Sequence, residues 1–220
     1  MSQPVSQMGE LANALAPLLP EGLLAATIGA VLLIDLDAKS RASGRGVWVG
    51  IAGCIAAFAA VVMAPAGGEV STQVIDSGAV LARLLILTVT TLLLFAGAGE
   101  QRGTPDRGAW TACVLGSGLG SLLVAGAGSL VSLWLGLELV ALSGYVLVAW
   151  RPGDRRAAEA GMKFVLFGGA ASGLMLFGIS HLYGLTGRFD FVGIGAALAR
   201  RCPCRLPQRC ASRPSASPTS

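Results

Sequence analysis

Two charged side chains sit where an apolar chain rarely carries any. Glu138 lies inside the run Leu130–Trp150, and Lys163 follows a short basic loop and lies a turn into the next run. About 20 apolar residues span the hydrocarbon core of a bilayer. A charge at that depth costs roughly 2.5–3.5 kcal/mol on insertion scales, so it usually lines an ion path or meets a buried partner. A carboxyl and an amine there offer one chemistry above all, the holding and passing of protons. Glu138 is about twelve residues from the end of its run that meets the basic loop, roughly 18 Å along a helix. Lys163 is about five residues in from the same side, roughly 8 Å. The vertical offset of roughly 10 Å argues against direct contact and leaves room for a water-bridged relay. A structural, hydrogen-bonded role is the alternative for Glu138. Lys163 has its own alternative, snorkelling to the interface or pairing with Glu159 at i,i+4. His181, the sole histidine, falls near the far end of the sixth run, where it either packs at the interface or serves an exit-side proton step. Nothing in the sequence resembles a nucleophile triad, a phosphate loop or the ligand set of a redox centre.

The elements that would position these groups are membrane helices. Hydrophobic residues make up 54% of the 220 and charged residues only 13%. A soluble surface needs about 25% charge, so this composition excludes a domain wetted all round. The 31 glycines suit closely packed membrane helices. Apolar runs predict helices over about 18–36, 47–64, 80–98, 109–127, 130–150 and 159–183, with a short interfacial helix over 189–199. The expected fold is therefore all-α, a polytopic membrane bundle of about six spans over residues 1–199. Glu21, at the start of the first run, is expected to be solvated at the interface. Arg83, one turn into the third, is expected to snorkel outward. The spacings Gly116-x-x-x-Gly120 and Gly169-x-x-x-Gly173 predict close backbone approach in the fourth and sixth helices.

Charge in the loops gives the orientation. Segments 37–45, 99–108 and 151–158 hold eight Lys or Arg, whereas the N-terminal segment and segments 65–79 and 126–129 hold none. By the positive-inside rule the basic loops face the cytoplasm and the N-terminus lies outside. The net charge of +4 is explained by this topology and does not point to nucleic acid. Residues 1–20 lack the basic n-region of a cleavable signal peptide. Cys54 and Cys113 read as small packing residues inside apolar runs. Cys202, Cys204 and Cys210 match no zinc spacing. They lie in a tail, 200–220, rich in Cys, Pro and Arg, that has no apolar periodicity and is expected to be disordered and non-native.

Three motifs carry a family resemblance. G-L-E-L-x-x-L-S-x-Y-V-L-V-A, R-R-x-A-E-A-G-x-K-[FY] and L-Y-G-x-T-G follow one another between residues 136 and 187. The start LLPEGLLAATIGAVLL and the D-S-x-A-x-L-A-R entry to the third helix agree with them. Over about residues 15–199 the sequence resembles chain N of the proton-pumping NADH-quinone oxidoreductase, respiratory complex I, an antiporter-like membrane subunit. The resemblance implies a fold of about fourteen helices with two inverted five-helix repeats, of which this sequence holds the first part. It implies proton translocation driven by quinone reduction elsewhere in the complex. Glu138 matches the family's buried helix-5 glutamate, and Lys163 matches the lysine after A-E-A-G. NADH, flavin, iron–sulfur clusters and quinone would then belong to other subunits, leaving no cofactor on this chain. The implied partners are the other membrane subunits and the lipid bilayer of a bacterial plasma membrane. The family's helix-7 lysine, its P-F-H-x-W-x-P-D segment and the second repeat do not occur here, so the expectation is a truncated N-terminal part whose tail is out-of-frame coding or a misassembled end. Neighbouring readings are a subunit of a cation/proton antiporter or membrane-bound hydrogenase, and a non-transporting structural membrane protein.

Overall fold

A computed structural model describes residues 19–36, 45–63, 69–70, 73–74, 77–100, 106–151 and 153–201. The N-terminal segment before Leu19, most of the predicted loops 37–45, 65–79 and 99–108, and the tail with its three cysteines lie outside the described residues. Each predicted apolar run is a helix: α1 (Leu19–Leu36), α2 (Arg45–Met63), α3 (Ser77–Glu100), α4 (Arg107–Ala125), α5 (Leu130–Val148) and α6 (Arg155–Thr186). The short helix α7 (Phe191–Arg201) follows. Two-residue strands β1 (Glu69–Val70) and β2 (Gln73–Val74) pair antiparallel between α2 and α3. All six long helices are apolar and long enough to cross a membrane.

The bundle is centred on α4, which packs against α1, α2, α3 and α5. Its core joins Leu24 and Val31 of α1, Cys54 and Val61 of α2, Leu87 and Leu94 of α3, and Leu115 and Leu122 of α4. Half of the α4 span is buried but only 6% of α6, which among the long helices packs chiefly against α5. The glycines of α4 set the α4–α5 distance. A Cβ added at Gly120 would lie 2.8 Å from the Gly136 carbonyl oxygen on α5, and one at Gly136 would lie 2.9 Å from the Gly120 oxygen. The expected close backbone approach therefore holds for Gly120, whereas a Cβ added at Gly116 would meet the Ser143 side chain, 2.8 Å from its hydroxyl. It does not hold for Gly169 and Gly173, whose added Cβ atoms would meet nothing within 4 Å. That face of α6 is open, so the same spacing there brings no backbone near.

Helix ends follow local chemistry. Gly126 and Ala127 donate to Leu122 O and Val124 O, each at 3.2 Å, closing α4. Ser129 then caps α5 in a reciprocal box with Ser132. α6 begins four residues before its predicted start, because Asp154 caps it by accepting from the Arg156 N–H at 2.9 Å. Half of the supposed basic loop is thus the first turn of a helix. Gly187 ends α6 in the left-handed region, with φ +67°, where a side chain would be strained. At 32 residues α6 is about 48 Å long, so roughly three turns extend beyond a 30 Å core. Arg155, Arg156, Glu159 and Lys163 all lie toward its N-terminal end. The α4–α5 turn and the α6–α7 turn meet in an isolated antiparallel bridge, Ser129 to Asp190, with Leu130 N donating to Phe189 O at 2.9 Å. Those two turns therefore share one side, as the alternation of spans requires.

Candidate functional site

The α5–α6 contact assembles the polar centre of the second half of the chain. Trp134 and Glu138 are one turn apart on α5 and present to one face. Glu138 is the ninth of the 19 residues of α5, roughly 12 Å from one end and 15 Å from the other. It is half-buried, at mid-height of a membrane helix. Ser172 of α6 faces both α5 residues: its hydroxyl donates to Glu138 Oε1 and accepts from the Trp134 indole N–H at 3.1 Å. Closer to the basic end, Tyr145 of α5 and Phe164 of α6 meet edge to face, with centroids 5.1 Å apart. Gly168 makes room for the Tyr145 hydroxyl, and Gly161 for Ala149. These small residues let α6 lie close enough for Ser172 to reach the carboxyl.

The predicted site residues are not all brought together. Lys163 Nζ lies 2.6 Å from Glu159 Oε1, both side chains being about 60% exposed. The i,i+4 pair with Glu159 is thus formed, toward the N-terminal end of α6. Among the described residues no ion pair joins Lys163 to Glu138. His181 is exposed near the opposite end of α6 and its ring lies against Phe177, with centroids 4.5 Å apart. Along α6 the order is thus Lys163, Ser172, His181, with Glu138 reached through the middle member. Among the described residues no cluster of His, Cys, Asp or Glu could hold a metal ion.

Two expectations are overturned at the start of the chain. Glu21 is buried, not solvated, and Arg83 does not end in water. Their side chains, 7% and 3% exposed, form an ion pair with Arg83 Nη2 3.0 Å from Glu21 Oε1. The physical reason is helix geometry. A Cα–Cβ bond tilts toward the helix N-terminus, so Arg83 does extend toward the start of α3. There, Glu21 in the first turn of α1 meets it before water does. A carboxylate in a first turn also complements the positive end of the helix dipole.

Sequence reasoning missed Ser172 and the role of Trp134. The i,i+4 spacing of Trp134 and Glu138 was legible, but the register of α6 against α5 was not. Outside the spans, Asp190 caps α7 by accepting from the Gly193 N–H at 2.7 Å. That hydrogen bond, helped by Arg188 at 3.1 Å, holds the Asp190 carboxyl below its ordinary range.

Comparison with known proteins places this geometry. Residues 127–206 match a family model described as NADH:quinone oxidoreductase/Mrp antiporter, transmembrane. NADH-quinone oxidoreductase subunit N of Anaeromyxobacter sp. (strain Fw109-5) is 36% identical over 183 residues, covering 80% of this chain and 35% of the relative. Subunit N of Rhizorhabdus wittichii is 38% identical over 200 residues, covering 84% and 40%. NAD(P)H-quinone oxidoreductase subunit 2 of Synechococcus sp. (strain CC9902) is 34% identical over 207 residues, covering 90% and 39%. The chain thus spans about two fifths of the length of these relatives. The fold is shared with a chain of the membrane-bound sulfane sulfur reductase, an archaeal respiratory membrane complex, at a TM-score of 0.68 and 22% identity. That match covers 86% of this chain and 41% of the other.

Proposed function

We propose that this chain, whose residues 127–206 match the NADH:quinone oxidoreductase/Mrp antiporter family model, is part of a subunit that moves protons across a bacterial plasma membrane. In this reading it works inside an NADH-quinone oxidoreductase, and quinone reduction in other subunits drives the movement. Those subunits also hold NADH, flavin, iron–sulfur clusters and quinone. The observation that carries the reading is Glu138, a titratable carboxyl at mid-height of α5 that is held by a hydroxyl from α6. A charge at that depth is costly, and function is the usual reason to keep one.

Roles follow from position. Glu138 holds the proton near the middle of the membrane. Lys163, paired with Glu159 at the basic end of α6, serves the cytoplasmic mouth. His181 at the other end serves the exit side. The span from Lys163 to Ser172 is nine residues, roughly 14 Å, so water carries protons between the lysine and the carboxyl. The N-terminus lies outside, as the loop charges require, and the partners are neighbouring membrane subunits and lipid.

Glu138→Gln in an assembled complex with the full-length subunit tests this. Gln keeps the shape and the acceptor for Ser172 but cannot ionise. Assembly should survive, and quinone-coupled proton uptake per complex should fall. Uptake at the wild-type level would remove Glu138 from the path and favour a structural role for the helices.

A further inference from the structure

Most hydroxyls inside these spans serve their own helix. Thr27, Thr88, Thr90, Thr91, Thr111, Ser121 and Thr186 each donate to the carbonyl four residues before. Ser172 does something different: it crosses to α5 and donates to Glu138 Oε1. The reason for its direction lies one turn away. An indole N–H is a donor only, and a serine hydroxyl has a single proton. Trp134 Nε1 donates to Ser172 Oγ at 3.1 Å. That bond takes one of the two lone pairs of the hydroxyl, and an ionised carboxyl can only accept, so the hydroxyl proton goes to Glu138 and the chain of bonds has one polarity, from Trp134 through Ser172 to Glu138.

We infer that Ser172 is a positioning residue for Glu138, oriented by Trp134, and that it makes Oε1 a fixed acceptor so that Oε2 is the oxygen that takes up and gives off the proton. In this assignment the contact keeps its direction when the carboxyl becomes neutral. The neutral acid therefore carries its proton on Oε2, on the side away from Ser172. Proton exchange has one geometry rather than two, and the carboxyl is held to α6 by one fixed contact. The assignment of Oε2 rests on the proton-carrying role proposed above for Glu138; the polarity of the hydrogen-bond chain does not.

Infrared difference spectroscopy on the 220-residue chain in liposomes separates the two. The Glu138 bands are identified as those lost in Glu138→Gln, and are followed across the titration as the acid carbonyl stretch and the carboxylate stretch. Ser172→Ala should move the acid carbonyl stretch to higher wavenumber, because the carbonyl oxygen loses its donor. Ser172→Thr should restore the wild-type position. Trp134→Phe, which keeps the ring and removes the N–H, should shift or broaden the same band by freeing the hydroxyl to rotate. Glu138 bands unchanged by Ser172→Ala would overturn the contact. An acid O–H stretch that moves to higher wavenumber in Ser172→Ala, as an O–H does when it loses its acceptor, would mean that Ser172 accepts from the acid, and would overturn the assignment of Oε2. In the assembled complex, Ser172→Ala should lower coupled proton uptake and Ser172→Thr should not. Normal pumping by Glu138→Gln would sink the proposed function while leaving the spectroscopic result intact.

Discussion

Removing Arg83 alone should destabilise the bundle far more than removing a surface cation does. The Arg83 guanidinium lies 3.0 Å from the Glu21 carboxylate, with 3% and 7% of the side chains exposed. At that separation and an effective dielectric of about 20, Coulomb's law gives roughly 5–6 kcal/mol of attraction. Desolvation of both ions offsets much of it, so the pair as a whole contributes little net stability. A one-sided loss is different, because the remaining ion stays buried without this counter-charge, and the typical cost is about 3–5 kcal/mol. Arg83→Met keeps the apolar stem and leaves Glu21 behind. Glu21→Leu leaves Arg83 behind. Each should cost about 3–5 kcal/mol, whereas the double variant should lie within about 2 kcal/mol of wild type. The assay is equilibrium unfolding of the reconstituted chain in mixed micelles, with SDS fraction as the denaturant and helicity as the signal. The cycle of four proteins gives the coupling energy directly. A loss below about 1 kcal/mol for Arg83→Met, the size of an exposed pair, would refute the reasoning. It would show that Arg83 ends in water, as the sequence alone suggested.

Other outcomes follow from single contacts. Gly120→Ala places a Cβ 2.8 Å from the Gly136 oxygen and the Val140 N, backbone atoms that cannot move aside, so it should cost about 1–3 kcal/mol in the same assay. Gly169→Ala meets open space and should gain about 0.5–1 kcal/mol from helix propensity alone; equal effects at the two positions would remove the α4–α5 close approach. Asp190 has its carboxyl held low by the Gly193 N–H and by Arg188. A lowered carboxyl stabilises the fold above its ordinary titration range and loses that contribution as pH falls through its lowered value. Amide exchange at Gly193 and Ile194 should therefore speed up on acidification in wild type and be fast and pH-insensitive, after correction for intrinsic exchange, in Asp190→Ala. For topology, a single Cys at Gly103, in a basic segment outside the described residues, should resist an impermeant thiol reagent in right-side-out vesicles; strong labelling would invert the orientation.

The spans could be read from the sequence because membrane insertion is decided locally. Every backbone polar group in lipid must be satisfied within its own segment, so a sufficiently long apolar run becomes a helix before it meets any neighbour. The ends of α1, α2 and α5 fall within two residues of where apolarity and turn residues place them. Glu138 stood out for the same local reason, as a charge in the middle of such a run. The start of α6 was misplaced because the Asp154 cap acts through one hydrogen bond that composition does not show. What only the tertiary structure decided are relations between helices. Arg83 and Glu21 are 62 positions apart, and their pairing depends on α1 and α3 starting on the same side of a bundle closed by α2 and α4. Ser172 reaches Glu138 because Gly161 and Gly168 bring α6 close to α5 at one register. Periodicity in either helix gives which face is polar, but sliding one along the other leaves both patterns unchanged. Two identical glycine spacings likewise became a tight crossing in α4 and an open face in α6, since a small residue permits an approach and only a neighbouring helix makes one.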